Sequence, residues 1–262
     1  MTPFDSLDAG IEPVGNPLAI PLVLLPGLDG TEVFFRPLME LLPDWIRPQT
    51  LCYPERGPYD YSALLALVRQ RIRHLPSCFL LASSFSGPLA VMLAAAEPER
   101  VRGVIFAASF IRSPRRFALP YRLVANAPLV GTVRLLRRLP VWLLRRRADA
   151  FRAAKHETWT RVGARGLAGR ARAVLRSDVR DLLRQCRQPV MAIAFAGDRV
   201  VAFDYTAEIV DYGSGARLVT LPGGHMGLFT HPQGPAAEIL RFIHANGRRR
   251  PMPADRPTQH YV

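Results

Sequence analysis

The chain contains a serine-rich segment with the small residues that a sharp strand-to-helix turn requires. Residues 79–90, Phe-Leu-Leu-Ala-Ser-Ser-Phe-Ser-Gly-Pro-Leu-Ala, join an apolar run to a run of small residues. A nucleophile at such a turn needs small residues two positions before it and two positions after it. Ser83 has bulky residues at both places, and Ser86 has a proline at the second. Ser84 has Ala82 and a serine there, so Ser84 is the predicted nucleophile.

A serine hydroxyl needs a base to take its proton, and the chain has six histidines. His225 lies in Leu-Pro-Gly-Gly-His-Met-Gly, directly after the last predicted strand. This position places it at the carboxyl edge of the sheet, where the Ser84 turn also lies. The competing residue is His231, which precedes a proline and is expected to have a surface or capping role.

A carboxylate at the same edge would orient the histidine and stabilise its charged form. Asp198 follows the buried run Met-Ala-Ile-Ala-Phe-Ala-Gly and fits this requirement. Asp204 and Asp211 fall on or beside a predicted helix, where they are expected to be solvated. The order Ser84, Asp198, His225 along the chain predicts a Ser-His-Asp catalytic triad.

Acyl transfer also requires backbone N–H groups that stabilise a developing oxyanion. The turn presents one of them, the amide of Phe85. The loop after the first predicted strand, Pro-Gly-Leu-Asp-Gly-Thr at residues 26–31, is expected to supply the second from Leu28. Asp29 in this loop is interpreted as a helix-capping or loop-closing residue.

The elements that would position these residues alternate along the chain. Apolar runs bounded by turn residues predict six strands, at 22–25, 49–53, 78–82, 101–108, 190–196 and 217–221. Helical patterns follow the strands, at 33–42, at 61–75, from the end of Ser84-Phe-Ser-Gly87 through residue 96, at 203–210 and at 235–245. The strands are too apolar to have a wet face, so the pattern predicts a mostly parallel sheet covered by helices on both sides.

These segments together resemble the α/β-hydrolase superfamily, and most closely its small esterase and acyl-transfer members with an inserted helical lid. Leu25-Pro-Gly-Leu-Asp-Gly-Thr31, Ala196-Gly-Asp-Arg-Val-Val201 and Gly223-Gly-His-Met226 carry the resemblance beside the serine turn. It implies ester or thioester hydrolysis through an acyl-enzyme, without a cofactor or a metal. The turn departs from the usual Gly-x-Ser-x-Gly, since both glycines are replaced by small residues. Few residues precede the first strong strand, so the two strands that usually begin the fold are expected to be short or missing.

Positive charge is concentrated in one central segment. The chain has a formal charge of +14, but residues 112–187 hold 19 arginines and one lysine against four acids, a net +16. This segment shows no convincing strand and predicts a basic helical lid, called the insertion below. The predicted division is an arm at 1–19, a core at 20–111 and 188–246, the insertion at 112–187 and a disordered tail at 247–262.

The composition limits where the protein acts. No apolar run reaches the roughly 20 residues of a membrane span. The first fifteen residues carry three acids and no base, unlike a secretory signal. Three cysteines without metal-type spacing predict free thiols in a reducing compartment, so the expected location is cytoplasmic, with peripheral membrane association as an alternative.

The insertion leaves several interpretations open. Four arginines would share one face of an amphipathic helix, opposite leucines, over an arc of about 100°: Arg134, Arg137, Arg138 and Arg145. This face is either a solvated side of the lid, a docking site for an acidic carrier protein that bears the acyl substrate, or a contact with an anionic membrane. Nucleic acid is the weakest option because no recognised motif is present.

The leading hypothesis is an ester or thioester hydrolase that acts on a small-molecule or carrier-linked acyl ester. An acyltransferase with the same triad is the second hypothesis, since an alcohol could replace water as the acceptor. A binding protein that has the hydrolase fold but no activity is the third.

Overall fold

Six parallel strands form a single sheet in the computed structural model, which describes residues 19–55, 57, 59–114 and 150–247. Their order across the sheet is β2-β1-β3-β4-β5-β6, and every neighbouring pair is parallel. The predicted fold class, a parallel sheet covered by helices, is therefore confirmed. The strands are β1 (Ile20–Leu25), β2 (Ile46–Thr50), β3 (Cys78–Ser83), β4 (Val101–Ala107), β5 (Val190–Phe195) and β6 (Arg217–Leu221).

Helices connect the strands and cover both faces of the sheet. Those of the core are α1 (Arg36–Met39), α2 (Tyr61–Ile72), α3 (Gly87–Ala96), α7 (Phe203–Ala207), α8 (Ile209–Tyr212), α9 (Gly227–Thr230) and α10 (Gln233–Gly247). Between β4 and β5, the described part of the insertion adds α4 (Ala150–Arg161), α5 (Ala164–Leu175) and α6 (Arg180–Gln185). The four arginines assigned to the basic helix face lie outside the described residues.

Successive strand residues point to opposite faces of the sheet, which divides the core into two layers. In β1, Val23 and Leu25 pack with α2 and α3, whereas Leu22 and Leu24 pack with α1 and α10. All four side chains are fully buried, and each such leucine or valine contributes about 1.5–3 kcal/mol through removal of apolar surface from water.

The strand order reverses between β1 and β3. In open parallel sheets, ligands bind in the crevice at such a reversal, beyond the carboxyl ends of the strands. The loop after β1 and the turn after β3 flank this crevice, so Leu28 and Ser84 come from its two sides. Topology therefore brings together two segments that are more than fifty residues apart in sequence.

The second strand and the first helix of the prediction differ from the structure. The second strand runs from Ile46 to Thr50 and not over 49–53, because Pro48 is tolerated in an edge strand that lacks a partner on one side. The helix predicted at 33–42 is a 3₁₀ turn (Val33–Phe35) followed by the single turn α1, and Leu41, which lies beyond α1, is 41% exposed. A leucine pattern across 33–42 did not reveal this early end, which precedes Pro43.

Candidate active site

Ser84 lies at the sharp turn between β3 and α3, in a backbone conformation that few side chains adopt. Its φ is +49°, in the left-handed region that is costly for a residue with a Cβ atom. Two hydrogen bonds to neighbouring carbonyls hold the turn. The Ser109 hydroxyl donates to the Ser84 carbonyl at 2.6 Å, and the Tyr61 hydroxyl donates to the Phe85 carbonyl at 2.8 Å. Surrounding structure thus maintains a strained residue, as is common at functional sites.

The small residues beside Ser84 are there for steric reasons. A Cβ atom on Gly87 would lie 2.3 Å from both the Phe110 carbonyl oxygen and the Ser109 hydroxyl. Ala82 and Ser86, which replace the two usual glycines of the turn, are both fully buried. The turn therefore accommodates a methyl or hydroxymethyl group at these positions but not at residue 87.

The serine in place of the second glycine makes contacts that a glycine could not make. The Ser86 hydroxyl donates to the Pro26 carbonyl and lies 2.5 Å from the Tyr53 hydroxyl. It thereby joins the turn after β3 to the loop after β1. The rule that identified Ser84 required only that residue 86 be small, so these hydrogen bonds were not foreseen.

The imidazole of His225 lies between Ser84 and Asp198. Its Nε2 atom is 2.9 Å from the Ser84 Oγ atom, and its Nδ1 atom is 2.8 Å from the Asp198 Oδ2 atom. A carboxylate only accepts hydrogen bonds, so Nδ1 carries the proton and Nε2 is left to accept from the serine hydroxyl. The structure thus brings together the three residues predicted from sequence.

Asp198 is fixed at the start of the loop after β5. Its Oδ1 atom accepts hydrogen bonds from the amides of Val200 and Val201, at 2.8 and 2.9 Å, so Oδ2 remains for His225. The Asp198 side chain is 3% exposed, and a hydrogen bond from the Gly197 amide to the Gly223 carbonyl joins its loop to the histidine loop. Two adjacent strand ends therefore hold the acid and the histidine in register.

His231, the competing histidine, lies at the end of α9. Its Nδ1 atom is 2.9 Å from the Thr230 hydroxyl. It begins the connection to α10, as its position before Pro232 indicated.

The loop after β1 forms a tight turn beside Ser84. The Gly30 amide donates to the Gly27 carbonyl at 3.0 Å, and Asp29 closes the loop by accepting from the Thr31 amide and hydroxyl at 2.9 and 2.5 Å. Burial raises the pKa of Asp29, while the bonds from Thr31 and the charge of Arg170 oppose this rise. Leu28 lines the same cavity as Ser84. That its amide and that of Phe85 form the oxyanion hole remains a prediction.

A cavity of about 330 Å³ opens over Ser84 and His225. Its walls are mostly apolar and come from Leu28, Phe34, Phe35, Val200, Leu228 and Phe229, with Arg199 as a charged residue. Phe34 and Phe229 are in edge-to-face contact with ring centres 5.8 Å apart, and Phe151 of α4 packs against both. The insertion therefore packs behind the aromatic part of this cavity wall, against two of its phenylalanines.

Two arginines of the insertion bind the segment that follows β1, and sequence patterns did not single them out. Arg161 of α4 forms a two-bond ion pair with Glu32, at 2.7 and 3.0 Å. Arg170 of α5 reaches the carbonyls of Leu28 and Asp29. In sequence, both are among 19 arginines of a basic segment, and no local pattern marks them as different.

The described residues hold no group of three or more His, Cys, Asp or Glu side chains that could bind a metal. All three cysteines are unpaired, as predicted. Within the same residues, no helix has the length and apolar character needed to cross a membrane.

A parallel sheet covered by helices, with a serine, a histidine and an aspartate in hydrogen-bond contact at its carboxyl edge, is the architecture of one class of α/β protein. The chain belongs to the alpha/beta hydrolase family, whose model matches residues 22–238. Family membership agrees with the resemblance derived from the sequence motifs and supports hydrolase activity. A comparison with curated proteins found no significant sequence match.

Solved structures of similar fold come from several bacteria. A hydrolase from Pseudomonas aeruginosa PA01 has a TM-score of 0.72 at 23% identity, over 87% of this chain and 91% of its own. The enol-lactonase from Burkholderia xenovorans LB400 has a TM-score of 0.74 at 20% identity, over 89% and 94%. An esterase from Exiguobacterium antarcticum has a TM-score of 0.70 at 16% identity, over 86% and 92%. At these identities the likeness concerns the fold.

Proposed function

We propose that the protein is a serine hydrolase that cleaves a carboxylic ester or thioester through an acyl-enzyme. The observation that carries the proposal is the His225 ring, hydrogen-bonded to Ser84 on one side and to Asp198 on the other, at 2.9 and 2.8 Å. A base within hydrogen-bond reach of a serine, itself oriented by a carboxylate, is the arrangement that activates a serine hydroxyl.

The first half of the reaction acylates Ser84. His225 Nε2 takes the hydroxyl proton as Oγ attacks the substrate carbonyl carbon, and the amides of Leu28 and Phe85 stabilise the resulting oxyanion. Asp198 stabilises the imidazolium without accepting its proton. The tetrahedral intermediate collapses, and His225 returns the proton to the departing alcohol or thiol, which leaves an ester on Ser84.

The second half of the reaction releases the acid. His225 removes a proton from water, which attacks the Ser84 ester. The second tetrahedral intermediate then expels the serine oxygen, which regains its proton from the imidazolium. An acyltransferase differs only in that an alcohol attacks in place of water, and neither the cavity nor the neighbours named above favour that acceptor.

The cavity indicates the kind of acyl group. Its volume of about 330 Å³ is at the small end of ligand pockets, and its aromatic and leucine lining favours an apolar chain of modest length. The described residues offer Arg199 at this cavity as a cation near the reacting centre. Because most of the lining is apolar, a small neutral ester is a suitable first substrate.

We further propose that the insertion binds an acidic partner, a carrier protein that presents the acyl substrate. Support comes from the net +16 of residues 112–187, against 15 basic and 17 acidic residues in the rest of the chain. A concentrated positive surface attracts acidic partners and speeds their encounter. An anionic membrane surface is the competing partner.

The test of the hydrolase proposal combines a fluorophosphonate probe with variants of the proposed triad. We expect mass spectrometry to find the label on Ser84, and Ser84→Ala to lower kcat for a short p-nitrophenyl ester by at least ~10³-fold while the protein stays folded. His225→Ala should be about as damaging, Asp198→Asn somewhat less, and the Ser84/His225 double variant little worse than either single one, because the groups act as a unit.

His231→Ala is the matched control for the histidine assignment, and it should retain most of the activity. A label on Ser83 or Ser86, full activity in Ser84→Ala, or a larger loss in His231→Ala than in His225→Ala would contradict the proposed triad. A folded wild-type protein that neither reacts with the probe nor turns over esters would instead favour a non-catalytic binding protein.

A further inference from the structure

Arg170 is a fully buried arginine on a helix of the insertion. Its exposed fraction is 1%, and it is the largest of the fully buried side chains among the described residues. Removal of a guanidinium from water is costly unless its N–H groups are hydrogen-bonded. The position of this group therefore calls for a reason beyond the general basic character of the insertion.

The guanidinium binds the backbone of the loop that follows β1. Arg170 Nε donates to the Leu28 carbonyl at 2.7 Å, and Nη2 donates to the Asp29 carbonyl at 3.1 Å. The guanidinium carbon also lies 6.0 Å from the ring centre of Tyr53. Burial lowers the pKa of Arg170, and the charges of Asp29 and two tyrosines oppose this change. An arginine remains charged under these conditions, so both bonds are charge-assisted.

Close packing of α5 allows Arg170 to reach this loop. A Cβ atom on Gly169 would lie 2.5 Å from the Cβ atom of Tyr59, so a larger residue would push the helix away. The adjacent turn carries Gly166, where a Cβ atom would lie 3.2 Å from the Glu55 carbonyl oxygen. The helix thus approaches the core closely next to the residue that bonds the loop.

We propose that Arg170 is a positioning residue that holds the Leu28 amide in the orientation required for the oxyanion hole. This inference rests on the proposed function. Its two bonds fix successive peptide planes, Leu28–Asp29 and Asp29–Gly30, directly after the Leu28 N–H. An oxyanion-hole donor must be fixed before the reaction, because its contribution depends on preorganisation. The insertion thereby supports the chemistry as well as the cavity wall.

If Arg170 served only to anchor α5, it would form the same bonds, but its variants would show different kinetics. Loss of an anchor lowers the amount of folded protein, whereas loss of a positioning residue lowers transition-state stabilisation in molecules that remain folded. The two effects separate when rates are normalised to the concentration of titrated active sites. They also separate in the ratio of kcat to KM changes, because the oxyanion forms only after substrate binds.

The experiment compares Arg170→Met and Arg170→Lys with the matched control Arg165→Met, an exposed arginine on the same helix. For a short p-nitrophenyl ester, we expect Arg170→Met to lower normalised kcat about 10- to 100-fold with little change in KM, somewhat less than removal of the donor itself. Arg170→Lys should recover part of this loss through one bond, and Arg165→Met should match the wild type.

Two further measurements keep the inference open to refutation. The inhibition constant of a trifluoromethyl ketone, whose serine adduct carries an oxyanion, should rise in parallel with KM/kcat across the variants. In Arg170→Ala, millimolar guanidinium chloride should restore part of kcat, whereas urea should not. Unchanged normalised kcat in Arg170→Met, or an activity loss that follows only the unfolded fraction, would overturn the proposal.

Hydrogen exchange separates failure of this inference from failure of the proposed function. Amides of the peptide covering residues 26–32 should exchange faster in Arg170→Met than in Arg165→Met or the wild type. If the wild type proves to have no esterase activity, the hydrolase proposal fails, and faster exchange would show that Arg170 holds the loop for another purpose, which contradicts the oxyanion role. If the enzyme is active and exchange is unchanged, the positioning role alone is wrong.

Discussion

At the scale of single residues, the site combines a strained serine, Ser84, with a second serine, Ser86, which forms hydrogen bonds in the place of one of the usual glycines. Ser84 keeps a φ of +49° because the carbonyls of its turn are bonded by Ser109 and Tyr61. Ser86 adds a bond to Pro26, directly before the loop that holds Leu28. The serine that replaces the motif glycine thus connects the two sides of the crevice by a hydrogen bond.

This connection predicts that restoration of the motif glycine is harmful. Ser86→Gly leaves the buried Pro26 carbonyl and the Tyr53 hydroxyl without this partner, which costs about 1–3 kcal/mol. Ala82→Gly, the matched change on the other side of Ser84, loses no hydrogen bond and should cost about 1 kcal/mol through backbone entropy. Urea unfolding gives both values, and kcat should fall about 10-fold only in Ser86→Gly, because the loop beside Ser84 loosens. Equal losses in the two variants would exclude a role for the hydroxyl.

At the scale of elements, α4 and α5 of the insertion are both joined to residues 28–36 of the core. Arg36 of the core forms a two-bond ion pair with Glu157 of α4, at 2.7 and 2.6 Å. Arg161 of α4 pairs with Glu32 of the core. Two ion pairs therefore attach α4, which supplies the acid in one and the base in the other. The same core segment bears Leu28 and two phenylalanines of the cavity wall. Movement of these helices would therefore alter both the cavity and the loop beside Ser84.

The ion pair between Arg161 of α4 and Glu32 predicts that the free energy of unfolding decreases at acid pH. The bond from Arg161 lowers the pKa of Glu32 from 4.5 to about 2, against the opposing effect of burial. A lowered pKa in the folded state stabilises the protein above pH 4.5, and this contribution is lost as the pH falls toward 2. Because the pair is partly solvated, we expect it to contribute only about 1 kcal/mol.

The measurement is urea unfolding of the wild type and Glu32→Gln from near-neutral pH down to acid. The variant should be less stable at neutral pH, and the two curves should converge in the window between pH 4.5 and about 2. Glu40→Gln, an exposed glutamate of the same region, serves as the control and should track the wild type throughout. A constant difference between Glu32→Gln and the wild type across this window would contradict the assignment.

At the scale of the whole molecule, the net positive charge and the proposed triad belong to different segments of the chain. The proposed triad lies at the carboxyl edge of a nearly neutral core, whereas residues 112–187 carry the net +16. The described insertion helices use some of this charge internally, in Arg161 and Arg170. The four arginines proposed as a partner surface lie outside the described residues, so their role rests on the sequence alone.

Replacement of these four arginines by glutamine should alter partner recognition and leave the chemistry intact. Turnover of a small neutral ester should stay within about twofold, because none of the four belongs to the proposed triad. Affinity for an acidic acyl carrier protein should fall, and wild-type binding should weaken as salt shortens the Debye length to about 8 Å. A control with the same loss of charge on the core changes Arg47, Arg69, Arg73 and Arg241 to glutamine and should retain binding.

The comparison also separates the two partner classes. Preference for a carrier-linked substrate over the same acyl chain in anionic liposomes supports the carrier, and the reverse preference supports a membrane surface. If the insertion variant and the wild type bind the carrier and the liposomes equally well, the four arginines form no partner surface. The remaining interpretation would be that they lie on a solvated side of the lid.

Features that depend on neighbours along the chain were predictable from the amino-acid pattern. Strand and helix periodicity defined the parallel sheet, and local sterics selected Ser84 from three adjacent serines. Because the carboxyl ends of parallel strands share one edge, the positions of Asp198 and His225 after their strands were enough to expect them near Ser84. The early end of the helix at 33–42 escaped this reasoning, since leucine spacing does not report how a single turn packs.

Which polar groups are buried, and which groups they bind, became evident from the folded chain. Arg170 is one arginine among 19 in its segment, and its contacts with Leu28 and Asp29 join residues 142 and 141 positions apart. No local pattern encodes such a contact, because burial of a charge depends on how α5 packs against a distant loop. The bond from Ser86 to Pro26, 60 positions apart, was hidden for the same reason. Both contacts hold the loop that would complete the oxyanion hole.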